Sequence, residues 1–235
     1  MTKTSSIAEA QRLLDAGKRD EAKELLLTQG YVKQLDEEVM AAYLRLFPAQ
    51  GVMREKIDGV IAQLKSADTT ARADAAKSIS KDARREMNMT LTEWLADPRT
   101  TGPLIELLDD PEPTVVEAAA QALGDIIFRY FQDLRAFDPL ARLVGSPKKT
   151  IRQAAVFGVG ALPHKERWQM LLPALSDKSV DVRRTACYAF SVGSGEGKIP
   201  ASMQKQAIPI LRGLLADTNA DLRGVAKSAL SHMGG

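Results

Sequence analysis

The sequence predicts an all-α protein, an α-solenoid of about five helical hairpins with an N-terminal helical cap. Similar segments return along the chain at intervals of about thirty to forty-five residues, the range of helical-repeat arrays. Apolar residues within each segment have the spacing of amphipathic helices, and turns rich in Asp, Pro, Ser or Asn separate these helices. Because a single hairpin cannot bury both of its faces, we expect the copies to stack on one another.

Each copy of the repeat combines a short apolar helix, a turn, and a second helix whose inner stripe is built from alanine and one larger aliphatic residue. The four clearest copies are TGPLIELLDDPEPTVVEAAAQALG from Thr101, FDPLARLVGSPKKTIRQAAVFGVG from Phe137, WQMLLPALSDKSVDVRRTACYAFS from Trp168 and AIPILRGLLADTNADLRGVAKSAL from Ala207. A weaker copy, IDGVIAQLKSADTTARADAAKSIS, begins at Ile57. The second helices are predicted to begin in register at Arg72, Glu117, Arg152, Arg183 and Arg223.

These segments resemble HEAT repeats over about residues 57 to 233. The most specific match is an Asp-x5-Arg pattern, formed by Asp177 with Arg183 and by Asp217 with Arg223. The resemblance implies that the aspartate in the turn and the arginine at the head of the second helix form a ladder between neighbouring repeats. It indicates the fold and says little about function, since this architecture supports many unrelated tasks.

The middle repeats depart from that pattern. Ser146 precedes Arg152 where an aspartate is expected, and Pro111 precedes Glu117. We therefore expect the ladder to be incomplete in this part of the chain.

The first fifty residues are helical in pattern but less regular than the repeats. Two predicted helices are broken at Gly17 and Gly30, faintly similar to a tetratricopeptide helix pair, and a third ends before Pro48. We interpret residues 1–50 as a cap over the open end of a repeat array that spans residues 51–235. The segment REMNMTLTEWLADPRT forms the junction between the weak repeat and the regular ones.

Composition limits the possible partners and settings. The 235 residues include 32 Lys and Arg against 30 Asp and Glu, which gives a net charge of +2. This charge is too small to produce the strong positive field typical of nucleic-acid-binding proteins. We therefore do not expect a nucleic acid partner. No apolar stretch has the length of a signal peptide or a membrane span, so we expect a cytoplasmic protein without membrane association. The single cysteine, Cys187, excludes an internal disulfide and fits a reducing compartment.

The glycine-rich segment VGSGEGKIPAS, residues 192–202, superficially resembles a phosphate-binding loop. A P-loop requires Gly, four residues, then Gly-Lys-Ser/Thr after a buried strand. Here Val192 takes the place of the first glycine, and Ile199 takes the place of the metal-binding hydroxyl. The preceding residues have helical spacing, so we predict a helix C-cap followed by a mobile connection, with Gly193, Gly195 and Gly197 interrupting any helix, and no nucleotide.

Other chemical signals are equally weak. His164 and His232 lie in different repeats without a second ligand at metal-binding spacing. The paired carboxylates Asp109-Asp110 and Glu37-Glu38 are placed in a turn and in a first helical turn, where acidic residues serve structural roles. We expect no cofactor, no metal and no catalytic residue.

Two enzymatic alternatives remain open, because both are built on HEAT-like folds. Alkylpurine DNA glycosylases of this kind use concave tryptophans and an aspartate, for which the chain offers Trp94 with Asp97, and Trp168. Bilin lyases of this kind attach a pigment to partner proteins, and the sequence has no specific feature of that group.

The preferred interpretation is a non-catalytic protein-interaction module, such as an adaptor, an assembly factor or an inhibitor of the immunity type, that binds another protein with its concave face. Projecting each second helix and removing its apolar stripe leaves candidate partner-binding residues. These are Lys77, Gln121, Asp125, Phe128, Gln153, Phe157, Arg184, Tyr188 and Lys227. Phe128 has two interpretations: the connection through Arg135 to Pro139 covers its ring, or the ring is an interface anchor.

Overall fold

The computed structural model describes residues 3–26, 42–43, 45–47, 51–85, 98–130 and 132–233, which form helices and turns without a β-strand. The chain divides into two compact units, Met1–Ala136 and Phe137–Gly235. Gly30 and most of the junction segment lie outside the described residues, as does most of the helix predicted before Pro48. The assignment of residues 1–50 as a cap therefore stays a prediction.

The first unit contains six described α-helices. They are α1 Lys3–Asp15, α2 Arg19–Leu26, α3 Gly51–Leu64, α4 Thr69–Arg85, α5 Thr101–Glu106 and α6 Pro113–Arg129. The predicted break at Gly17 is confirmed: this glycine has φ of 74°, and its N–H and that of Lys18 donate to the carbonyls of Leu14 and Leu13. This is the Schellman arrangement that ends a helix at a glycine with left-handed backbone.

The second unit contains six more helices within the described part of the chain. They are α7 Phe137–Leu143, α8 Lys149–Ala161, α9 Arg167–Leu171, α10 Val180–Gly195, α11 Ala201–Leu214 and α12 Ala220–His232. A 3₁₀ segment, Pro173–Ser176, continues α9 towards the next turn.

The helices form hairpins, in which α4, α6, α8, α10 and α12 are the second helices. In the first unit α4 packs against α6, and in the second unit α10 packs against both α8 and α12. Small side chains allow this close packing, because the alanines predicted to lie in the stack are all buried. These are Ala119, Ala120, Ala154, Ala155, Ala186 and Ala226.

Each turn before a second helix is stabilised by one short polar side chain. The carboxylates of Asp110, Asp177 and Asp217 accept a hydrogen bond from the backbone N–H two residues later. The hydroxyls of Ser66 and Ser146 accept the equivalent bond in their own turns. Serine and aspartate therefore both form the turn, as their side-chain geometry allows.

Only the aspartates also connect repeats. Arg152 donates from Nε and Nη2 to the two carboxylate oxygens of Asp177, at 2.8 and 2.9 Å, while its Nη1 bonds the carbonyls of Ser146 and Pro147 in its own turn. Arg183 donates one hydrogen bond from Nη2 to Asp217 at 2.7 Å, while its Nη1 bonds the carbonyls of Asp177 and Lys178 in its own turn. The resemblance to HEAT repeats predicted a ladder between neighbouring repeats, and the structure confirms it for Arg152 with Asp177 and for Arg183 with Asp217.

The first unit contains a third rung, between Arg72 and Asp110 at 2.7 Å. This rung corrects the predicted register of α6. Because each ladder arginine is the fourth residue of its helix and α6 begins at Pro113, the equivalent residue is Val116 instead of Glu117. Val116 is buried and apolar, and the turn of the following repeat carries Ser146, so these two positions lack the chemistry of a rung.

The glycine-rich segment after residue 192 also differs from expectation. The helix C-cap is confirmed, since α10 ends at Gly195 and Gly197 has φ of 66°. However, the prediction that Gly193 and Gly195 interrupt the helix is wrong, because both belong to α10. The Trp168 indole packs directly against Gly193, and its Nε1 donates to the Lys198 carbonyl at 3.1 Å, so the segment is held by a buried side chain.

Candidate functional site

A groove in the second unit lies against the second helices α8, α10 and α12. Its volume is about 600 Å³, within the range of roughly 300–1,000 Å³ that ligand-binding clefts occupy. The residues that line it are Phe157, Arg184, Thr185, Tyr188, Ala220, Asp221, Gly224 and Val225.

The repeat places these side chains together because the second helices run parallel. Near the start of the helices Arg184 of α10 lies 3.8 Å from Asp221 of α12, and towards their ends the hydroxyls of Ser191 and Ser228 are 2.8 Å apart. The corresponding parts of consecutive second helices therefore lie side by side. Phe157 and Tyr188 are each the ninth residue of their helix, so the repeat presents two aromatic residues on one face.

A missing side chain opens the groove on the α12 side. Gly224 is the fifth residue of α12, and a Cβ placed there would have no neighbouring atom within 4 Å. The neighbouring lining residues on α12, Ala220 and Val225, are also small or medium-sized. The cleft therefore forms where the larger side chains of α10 face a helix with little bulk.

Arg184 and Asp221, which line the groove, interact with each other and with two charged residues outside the lining, Asp181 and Lys149. Lys149 lies 3.9 Å from Asp181, and Arg184 lies 4.0 Å from Asp181 and 3.8 Å from Asp221. Arg184 donates no hydrogen bond to any residue that the structure describes. The result is an alternating row of charges that crosses α8, α10 and α12 without a net charge.

The ladder fixes the helices that carry this row. Arg183, the neighbour of Arg184, is held by its own turn carbonyls and by Asp217, and Arg152 is held by Asp177. The hydrogen bond from Arg152 holds the pKa of Asp177 below its ordinary value, although burial acts in the opposite direction. The same bond raises the pKa of Arg152. Both groups therefore stay charged, and the rung keeps α8 and α10 in register.

Five of the predicted partner-binding residues belong to this unit. Phe157, Arg184 and Tyr188 line the groove, and Tyr188 is 45% exposed. Gln153 is half-buried on α8 and Lys227 is exposed on α12, and neither lines the groove. The structure therefore brings three of the five into one site.

The other four predicted partner-binding residues belong to the first unit. Lys77 is exposed on α4, where it pairs with Asp74 at 3.3 Å. Gln121 is half-buried on α6. Phe128 is 46% exposed, so its side chain is not fully hidden from solvent.

The expectation that Asp125 is an accessible binding residue is wrong. Its side chain is 5% exposed and its Oδ2 accepts hydrogen bonds from Ser80 at 2.7 Å, Arg84 at 2.8 Å and Gln121 at 3.3 Å. The first two donors come from α4, which covers the face of α6 that looked polar in projection. Asp125 thus joins two second helices. Its donors supply the hydrogen bonds that a buried carboxylate requires.

Sequence reasoning missed the α12 side of the groove. Asp221, Gly224 and Val225 of α12 line the groove, and none of them was among the residues selected from the sequence. The signal that would have found Gly224 is a glycine at the helix position that holds Arg184 in the preceding repeat.

The tryptophans do not form an exposed pair on a described surface. Trp168 is 3% exposed, with the Arg167 guanidinium 4.3 Å from its ring and Phe190 at 5.1 Å. A ring buried in this way cannot stack on a nucleobase. Trp94 and Asp97 lie outside the described residues.

The remaining reactive side chains have structural surroundings. Burial raises the pKa of the Cys187 thiol to about 12, against the opposing charge of Arg183, so the thiol is protonated at neutral pH. His164 stacks on Phe137 with 3.6 Å between the ring centroids, and its Nδ1 accepts from the Glu166 N–H. Among the residues whose placement is described, no three His, Cys, Asp or Glu side chains are grouped to hold a metal ion.

None of the described helices combines the length and apolar character needed to cross a membrane.

The repeats of this chain match a known protein family. A family model described as HEAT repeats matches residues 57–149 and 137–231. No curated protein matches the sequence.

Several solved structures have a similar fold at low sequence identity. A designed armadillo repeat protein in complex with the peptide (KR)4 has a TM-score of 0.61 and 17% identity, covering 99% of this chain and 100% of its own. Computationally designed armadillo repeat proteins for modular peptide recognition give 0.59 and 18%, with 96% and 98% coverage. An engineered protein gives 0.61 and 16%, with 100% and 97% coverage. At these identities the similarity shows the fold, an all-α solenoid of helical repeats.

Proposed function

This chain belongs to the HEAT repeat family, and we propose that it is a non-catalytic protein-interaction module that binds another protein with its second helices. HEAT and armadillo-like repeat folds are typical of protein-binding scaffolds. Within that class the chain acts as an adaptor, an assembly factor or an inhibitor of its partner. We place this function in the cytoplasm, in keeping with a single buried cysteine.

The observation that carries the proposal is the groove of the second unit. Three residues selected from sequence as partner contacts, Phe157, Arg184 and Tyr188, lie together there although they come from two different repeats. An exposed aromatic beside an arginine is the combination in which interface binding energy concentrates. The designed armadillo repeat protein of similar fold is in complex with a peptide, which supports a polypeptide as the class of ligand.

The remaining proposed contacts extend from this centre. Gln153 and Lys227 lie on the same helices as the groove residues and form its rim in the proposal. In the first unit, Lys77, Gln121 and Phe128 are proposed as further contacts, whereas Asp125 supports Gln121 and Arg84 from within.

Affinity purification from the native cell with the full chain as bait, followed by mass spectrometry, tests the proposal. Replacing both Arg184 and Tyr188 by alanine removes a charged and an aromatic contact without cutting into the core, since both are substantially exposed. We expect the helical content to be unchanged and the captured partner to be lost.

A matched control removes an arginine and an exposed large apolar side chain elsewhere in the second unit. Arg212→Ala with Leu215→Ala removes an exposed arginine and a 42% exposed leucine at the end of α11. Equal capture by the wild type and the Arg184/Tyr188 variant, or loss in both double variants, would contradict the proposal.

A further inference from the structure

The two charged residues that line the groove, Arg184 and Asp221, carry opposite charges and lie 3.8 Å apart. Arg184 lies between Asp181 and Asp221, and Lys149 lies beside Asp181, so two cations alternate with two anions. A cationic or an anionic side chain that enters here gains attraction to one member of the row and repulsion from the next. Charge complementarity therefore favours a ligand group without charge.

The interior of the groove is apolar even where its residues are polar. The Thr185 hydroxyl donates to the Asp181 carbonyl at 2.9 Å, which satisfies its donor within the helix. Phe157, Tyr188, Val225 and Ala220 are further lining residues, and the surface of the groove is mainly apolar. A charged group that enters would lose its hydration without gaining a strong partner.

The space above Gly224 fits a large side chain from outside. A Cβ at this position meets no atom within 4 Å, while Tyr188 on the opposite helix is 45% exposed. Since Tyr188 and Gly224 line the same groove, an aromatic or large aliphatic side chain placed in this slot would bury apolar surface of the groove.

From these three observations we infer that the groove receives one uncharged aromatic or large aliphatic side chain, presented by an extended segment of the protein partner over Gly224. The inference rests on the proposed function and specifies the chemistry of the partner segment. Apolar burial supplies the affinity, and the charge row supplies polar surroundings at the rim.

Selection from a library of random twelve-residue peptides displayed on phage, panned against the full chain, tests this without knowledge of the native partner. We expect the enriched peptides to share one Trp, Phe, Tyr, Leu or Met and to show no excess of Lys, Arg, Asp or Glu. For a synthetic peptide of the selected sequence, we expect Kd to change less than about threefold between 50 and 500 mM NaCl, because few counterions are released.

Gly224→Leu serves as the blocking variant, because it fills the slot with the chain's own side chain. Leucine is a better helix former than glycine, and the open space around the Cβ avoids a clash, so we expect an equal or higher melting temperature. Peptide affinity should fall at least tenfold. Gly213→Leu, at an exposed and equally open position on α11, is the matched control and should bind normally.

Three results overturn the inference: a shared charged motif, equal binding by Gly224→Leu, or no enriched peptide. Should Gly224→Leu fail to fold, Tyr188→Ala provides the second variant, with the same expected loss of peptide binding. A failed peptide selection together with successful capture of a native partner would reject this inference and leave the proposed function intact. Equal capture of the native partner by the wild type and the Arg184/Tyr188 variant would reject the proposed function itself.

Discussion

Gly193 shows how one residue without a side chain determines the packing of the second unit. A Cβ at this position would lie 2.1 Å from Trp168 Cη2 and 2.6 Å from Cζ2. The glycine thus lets Trp168, the largest side chain of this unit, pack close to the backbone of α10, next to Phe190. This explains why a glycine occurs inside α10, where it weakens the helix itself.

We therefore predict that Gly193→Ala destabilises the protein although alanine is the better helix former. The indole must move, which costs about 1–3 kcal/mol of the free energy of unfolding. The measurement is urea unfolding followed by circular dichroism. Gly213→Ala, where a Cβ meets no neighbour, should instead leave the stability unchanged or raise it by up to about 1 kcal/mol. Equal effects at the two positions would contradict this role of Gly193.

At the same scale, sequence reasoning succeeded where a residue's surroundings repeat and failed where they depend on a neighbouring helix. The buried alanines were predicted because each copy carries them at the same place. Asp125 was misplaced because its partners Ser80 and Arg84 lie 45 and 41 residues away, and projection of a single helix cannot show them. Gly193 was misplaced because a glycine that ends a helix and a glycine that admits an indole look alike in sequence.

At the scale of the elements, the Asp–Arg rungs fix the spacing of consecutive second helices. Arg152 and Arg223 are a natural comparison, since each is the fourth residue of its helix and bonds two carbonyls of its own turn. Arg152 also binds Asp177 with two hydrogen bonds and is 6% exposed, whereas Arg223 is exposed. The difference in stability between variants at these two positions therefore measures the contribution of the rung.

Replacing Arg152 by alanine should lower the free energy of unfolding by about 3–5 kcal/mol, because a mostly buried carboxylate loses its partner. Arg223→Ala should cost about 1 kcal/mol or less, the value of exposed hydrogen bonds. Chemical denaturation of both variants under the same conditions gives the comparison. Similar losses would mean that the bonds within the turn, and not the rung between repeats, stabilise the stack.

At the scale of the whole molecule, the rungs occur in both compact units and give the protein a common response to acid. In Asp110 burial raises the pKa, but hydrogen bonds from Arg72 and the Glu112 N–H, with the Arg72 charge, lower it overall. The Asn219 N–H and the Arg183 side chain lower the pKa of Asp217, and Arg152 lowers that of Asp177. The folded protein therefore binds fewer protons at these sites than the unfolded chain.

Stability should consequently be complete above about pH 5 and decrease as the pH falls through the unfolded value near 4 towards the lowered folded values. Urea unfolding at pH 7 and at pH 3.5 measures the loss. Asp177→Asn should show a smaller difference between the two pH values than the wild type. Asp74→Asn, at an exposed site, should retain the wild-type difference. An Asp177→Asn variant with the full acid response would contradict the assignment.

The repeat architecture follows from the sequence, because periodic alanines, turn residues and arginines determine it together. The binding face follows only in part, since a groove depends on which side chains are absent as much as on which are present. Tyr188 was predicted from its position outside the apolar stripe of its own helix, whereas Gly224 belongs to the groove only because of residues on a neighbouring helix. The net charge of the chain is only +2, and the charges beside the groove alternate in sign. Both observations argue against electrostatic attraction as the main source of affinity.

Photo-crosslinking in the native cell tests the central claim, that this groove binds a protein, most directly. A benzophenone amino acid at position 188 should form an adduct with one discrete protein, and Gly224→Leu in the same chain should abolish it. The same probe at position 215, which is exposed to a similar degree, should form no such adduct. No adduct from position 188, or the same adduct from both positions, would contradict the claim.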